Sequence, residues 1–107
     1  RTAIERMVKV IWSKRASSQL ERNVKYIKDE QGVSYAKTVL NRILSSTALL
    51  GRTPKMGKVE PLLAHKKTEY RFIVVWSYKI IYKLSSDHVT ISRVFHTSRN
   101  PNKLKGI

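Results

Sequence analysis

Two periodicities alternate along the chain. Val8, Val10 and Trp12 alternate with Lys9 and Ile11, which predicts a first strand over residues 8–12. Ser13 follows as a helix cap, and Ala16, Leu20, Val24 and Ile27 then recur at helical spacing. Lys14, Arg15, Glu21, Arg22, Lys25 and Lys28 cover the other faces. This amphipathic helix is expected to end near Gln31, with Gly32 as its stop. A second helix, capped by Ser34 and ended by Gly51, carries the stripe Tyr35, Ala36, Val39, Leu40, Ile43, Leu44, Thr47 and Leu50. A link this short folds the two helices into an antiparallel hairpin.

Residues 52–58, with Pro54 and Gly57, read as a loop that Glu60-Pro61 continues. Leu62 to His65 is the expected edge strand, and residues 66–69 turn into the central sheet. From Tyr70 to Arg99 the period is that of strands. Three runs rich in β-branched and aromatic residues are separated by Trp76-Ser77 and by Ser85-Ser86-Asp87. Gaps this short join neighbouring antiparallel strands. Asn100-Pro101-Asn102 stops the last strand.

The order is β-α-α-β-β-β. It defines an α+β domain: an N-terminal strand, an antiparallel helical hairpin, then a three- or four-stranded mainly antiparallel sheet. The helices are expected on one sheet face, with the other left open. Residues 7–107 form one domain, and residues 1–6 read as an N-terminal extension or appended remnant. Trp12, Phe72 and Trp76 are expected in the core.

Composition changes this picture through charge. The chain carries +15, with 10 Lys/Arg against 4 Asp/Glu in residues 1–51 and 12 against 3 in residues 52–107. The excess is spread over the fold rather than held in a tail. It implies a polyanionic partner: RNA, DNA, an anionic membrane or an acidic protein. With no Cys there is no disulfide or thiolate metal site. No apolar run is long enough to cross a bilayer, and no apolar signal segment opens the chain, so a reducing, cytoplasmic setting is expected.

The seven carboxylates are scattered, the three His are not at metal-ligand spacing, and Gly57 stands alone where a phosphate loop would need several glycines. No cofactor or metal is expected. What remains is a set of cations with His and Tyr, which suffices for metal-free RNA cleavage. There the 2′-hydroxyl is the nucleophile, and the protein holds the phosphate and moves protons. Arg71 and Lys79, on adjacent strands, are candidates to hold the phosphate. His96 is the candidate acid or base. Arg99 would add charge stabilisation. Lys55, Lys58, Lys66, Lys67 and Lys83 would line a nucleic-acid surface, with Tyr82 or Tyr78 stacking on a base. Each has a structural reading too: solvated sheet cations, a histidine at a strand end, tyrosines in the core. His65 and His88 sit by turns and read as solvated.

Val8 to about Leu104 resembles the RelE/ParE superfamily of bacterial toxin–antitoxin toxins. The similarity lies in Val-Ile-Trp-Ser at the start with Gln19-Leu20 in the first helix, and in the loop Thr-Pro-Lys-Met-Gly-Lys after the hairpin. It continues in Tyr70-Arg71-Phe72, in Tyr78-Lys79-Ile80-Ile81-Tyr82, and in Val94-Phe95-His96-Thr97-Ser98-Arg99-Asn100-Pro101. The resemblance implies a small basic growth-arresting toxin, neutralised in the cytoplasm by a cognate antitoxin wrapped around it. RelE-like members cleave mRNA in the ribosomal A site; ParE-like members inhibit DNA gyrase without nuclease chemistry. Arg71, His96 and Arg99 match the superfamily's positions. Lys79 stands where many members have Arg, and no Tyr follows Tyr82, where RelE-type toxins carry a late one. The near-equal helices look ParE-like, while the charge suits a ribosome-bound RNA. Ribosome-dependent mRNA cleavage is therefore the leading expectation. Gyrase inhibition is the alternative, and a plain basic nucleic-acid-binding module the third.

Overall fold

The computed structural model describes residues 7–98 and 107. Residues 1–6, Arg99 and the expected stop at residues 100–102 lie outside them. Strand β1 (Lys9–Trp12) leads into helices α1 (Lys14–Gln31) and α2 (Val33–Ala48). A 3-10 turn (Leu49–Gly51), strand β2 (Lys58–Val59) and a second 3-10 turn (Pro61–Leu63) follow. Strands β3 (Tyr70–Val75), β4 (Tyr78–Leu84) and β5 (His88–His96) complete the fold. Four strands follow the hairpin, as expected, and β1 joins them in a five-stranded sheet of order β1-β5-β4-β3-β2, with β1 parallel to β5 and every other pair antiparallel.

Local chemistry explains most boundaries. The Ser13 hydroxyl accepts from Ala16 N at 3.0 Å and caps α1. Gly32, at φ 96°, donates to Lys28 O and ends α1, while its own carbonyl accepts from Ala36 N. One residue therefore serves as the stop of one helix and the cap of the next. The expected cap at Ser34 is corrected: Val33 is already helical. The edge strand is also displaced. Pro61 presets a helical turn, and the Glu60 carboxylate accepts from Leu62 N, so residues 61–63 coil. The ladder position falls instead to Lys58 and Val59, opposite Phe72 and Arg71.

The main core lies between the hairpin and one sheet face. Ala16, Ile27, Ala36, Val39 and Ile43 from the helices meet Ile80, Tyr82, Val89, Ile91 and Val94 from the sheet. The other face is not open, contrary to expectation. Leu63, Ile81 and Phe95 are buried there, with Tyr70, Phe72 and Ile107 packed against them. The turn at residues 61–63 supplies Leu63 to this second cluster, which is why it coils over the sheet rather than extending it.

Strand β1 pairs with β5 only as far as Ile91, and α1 takes over the exposed edge beyond. Ser13 N donates to Ile91 O, the Ser13 hydroxyl to Ser92 O, and Val94 N to the Gln19 amide oxygen. Ser92 is the extra residue there, since Ile81 pairs with Arg93 and Tyr82 with Ile91.

Tyr82 fixes the loop before β2. It is fully buried, its hydroxyl donates to Pro54 O at 2.7 Å and accepts from Gly57 N at 2.9 Å. A Cβ on Gly57 would lie 2.4 Å from Phe72 O and 2.7 Å from the Tyr82 hydroxyl. Gly57→Ala is therefore expected to destabilise by about 2–3 kcal/mol in urea unfolding, in the range of overpacking in a close-packed interior. Burial raises the Tyr82 phenol's pKa, against the lowering effect of the Gly57 amide and Arg71. A raised folded-state value means that the stability it confers is complete below the unfolded value near 10 and lost as pH climbs above it. Tyr82→Phe leaves the buried Gly57 N–H unpaired and should cost about 1–3 kcal/mol at neutral pH. The deficit should narrow above about pH 10 in thermal melts followed against pH.

Candidate functional site

A strand places every second side chain on a given face. In β3, Ile73 and Val75 enter the main core, so Arg71 shares the helix side; Tyr70, Phe72 and Val74 point away. In β4, Tyr78, Ile80 and Tyr82 face the helices, so Lys79, Ile81 and Lys83 face away. The ladder pairs Arg71 with Tyr82 and Lys79 with Val74. The two proposed phosphate holders therefore lie on opposite faces of the sheet, and the structure does not bring them together.

Each is also engaged. Arg71 Nε donates to the Glu69 carboxylate at 2.5 Å, and Nη1 donates to Gly57 O at 2.6 Å and Lys55 O at 3.4 Å. The guanidinium thus clasps the loop that Tyr82 holds from below. Lys79 Nζ lies 2.6 Å from the carboxylate of Glu60, whose side chain is 1% exposed, and 4.3 Å from the centre of the Phe72 ring. The ion pair falls outside hydrogen-bond angles, and among the described residues Lys79 is the only charged partner of Glu60 Oε1.

His96 faces the helices opposite Tyr78, in an edge-to-face ring contact at 5.5 Å. It lies four residues along β4 from the Arg71 level, about 13 Å away along the strand. Ser98 N donates to its Nδ1 at 3.1 Å, which puts the proton of the neutral ring on Nε2. Asn23, Tyr26, Tyr78 and Ser98 join it around a polar recess. Arg99 lies outside the described residues. Tyr82 has no ring surface to offer a base, and Tyr78 is buried as well. Lys55, Lys58, Lys66 and Lys67 are exposed and Lys83 is half-buried, but Lys83 faces the side away from Arg71. Lys66 also meets the carbonyl of Ile107. Among the described residues no group of His, Asp and Glu could hold a metal ion. No helix among them is long and apolar enough to cross a membrane.

Two features escaped the sequence reading. Arg93 is 8% exposed, donates Nη1 to Ser92 O, and leaves Nε without a partner. Burial, then the charge of Arg15, lowers its pKa, yet a guanidinium stays charged at neutral pH. It is a desolvated cation on the second face with no carboxylate beside it among the described residues. Trp76, expected in the core, is 42% exposed in the β3–β4 turn at φ 55°. Its ring stacks on Tyr35 at 5.8 Å and lies 5.2 Å from the Arg42 guanidinium. The sequence signal was a tryptophan inside a two-residue turn, where burial is hard to arrange.

A helical hairpin on a mixed five-stranded sheet fits the fold that the RelE/ParE resemblance implies. Residues 10–101 match the family described as "ParE toxin of type II toxin-antitoxin system, parDE", and the chain belongs to that family. A protein of this kind has an antitoxin as partner. The fold is also that of the solved "Chromosomal ParDE TA system from P. aeruginosa", at a TM-score of 0.70 and 14% identity. That match covers 87% of this chain and 99% of the other. No curated protein matches the sequence closely enough to count as a relative.

The Glu60–Lys79 pair is asymmetric, since Lys79 remains 23% exposed and Glu60 only 1%. Lys79→Met strands a buried carboxylate and should cost about 3 kcal/mol; Glu60→Gln frees an ammonium that can turn to water and should cost less. Urea unfolding of the two variants checks the order, and equal losses would mean that Glu60 is not the desolvated partner.

Proposed function

We propose that this ParE-type toxin arrests growth by binding DNA gyrase, without nuclease chemistry of its own. One observation carries the reading. Of the residues proposed for cleavage, Arg71 and Lys79 occupy opposite faces and each is tied to a carboxylate, while His96 sits at the far end of the sheet from Arg71. In-line phosphoryl chemistry needs its groups around one phosphorus within hydrogen-bond reach. Membership of the ParE family supports the same choice. The toxin acts in the cytoplasm, where the antitoxin masks it until needed.

The +15 charge favours a second reading, cleavage of ribosome-bound mRNA with the exposed lysines holding the RNA. The two separate in one pair of assays. Purified toxin added to a gyrase supercoiling reaction should abolish supercoiling or trap cleaved DNA. Added to a cell-free translation reaction, it should leave the mRNA intact. Codon-by-codon loss of mRNA with supercoiling untouched would reverse the assignment.

A further inference from the structure

Trp76 occupies the first position of a two-residue hairpin turn in a left-handed backbone conformation. Two-residue turns give positive-φ positions to glycine or asparagine, because a Cβ crowds the backbone there. Burial of the ring would be an ordinary reason to place tryptophan at such a site, but the ring stays 42% exposed. It is instead clamped on the surface of α2 between Tyr35 and Arg42. Tyr35 is itself 42% exposed. The result is a solvent-facing cluster of the three residue types most enriched where protein interfaces concentrate their binding energy.

The surroundings favour an acidic protein partner. Strand β2 pairs only with Arg71 and Phe72, so the edge of β3 from Ile73 to Val75 leads to the stack with no strand beside it among the described residues. A groove of about 550 Å³ runs there, with Leu49, Met56 and Val74 exposed along it. Residues 31–59, which supply α2 and the loop flanking this side, contain no carboxylate and five cations: Lys37, Arg42, Arg52, Lys55 and Lys58. A second copy of so basic a chain would be repelled, and an acidic protein surface attracted.

We propose that Tyr35, Trp76 and Arg42 form the anchor through which the toxin docks on an acidic surface of its target protein. The identity of that target as gyrase rests on the reading above; the anchor itself does not. Trp76 fills the centre of the contact, Arg42 pairs with a partner carboxylate, and the groove receives apolar side chains beside them.

The test uses Trp76→Gly, which removes the ring and suits the left-handed backbone, and Arg42→Gln, an exposed change that leaves the helix intact. Circular dichroism first confirms that both are folded. The toxin concentration for half-inhibition of gyrase supercoiling should rise about thirtyfold in Trp76→Gly and about tenfold in Arg42→Gln. Affinity for the antitoxin encoded with it should change by less than about twofold, the range of a residue outside an interface. Unchanged inhibition would mean that the stack only pins the hairpin to α2. An equal fall in antitoxin affinity would assign the surface to the antitoxin; either result overturns the proposal. If the parent toxin leaves gyrase untouched, growth arrest in cells becomes the readout. Loss of arrest in both variants with antitoxin binding retained then keeps the anchor and rejects only gyrase as its target, while full arrest rejects the anchor.

Discussion

The parity of a β-ladder decides which side chains of this molecule can meet. Once Trp76 and Ser77 make the turn, Val75 must face Tyr78, and every pair below them follows in step. Arg71 then falls opposite Tyr82, and Lys79 opposite Val74. One pair looks toward the helices and the other away, and no rotamer carries a side chain through a sheet. Packing reinforces the geometry. The Arg71 side braces a loop whose amide and carbonyl bond Tyr82, and the Lys79 side neutralises a carboxylate under the second cluster. The two cations are engaged separately, one on each face, with the same short segment at residues 55–60.

Much of the architecture was legible in the chain. The 3.6 period of Ala16, Leu20, Val24 and Ile27, the stop at Gly32, and the β-branched runs divided by short breaks all correspond to observed elements. Long periodic segments declare themselves because burial repeats the same signal many times. The two-residue strand Lys58–Val59 carries no period at all, and apolar residues at 62 and 63 mimicked a strand when Pro61 had already set a turn. Parity was legible too, by counting outward from the turn, although composition alone made one basic surface of both faces. The parallel partnership of β1 with β5 was not legible, because nothing local to residues 9–12 names a partner almost eighty positions away.

The site was less legible than the fold for a related reason. Burial of Glu60 depends on where the coil at 61–63 settles, and isolation of Arg93 on which residues fail to come near it. Neither is a property of neighbouring residues in the chain. Trp76 is the reverse case: its type suggested core, and its position in a tight turn argued against it. The position prevailed, because a two-residue turn leaves too little backbone to fold a large ring back under the sheet.

The pairing of β1 with β5 has a consequence for synthesis. Residues 9–12 leave the ribosome long before residues 88–91, the segment they must bind. At about 5–20 residues per second the first strand waits roughly 4–16 s for its neighbour. Throughout that interval Val8, Val10 and Trp12, which later pack against the core, have no sheet to cover. Closing the sheet on its first strand therefore waits on the synthesis of residues 88–91, and until then that strand has no ladder to join.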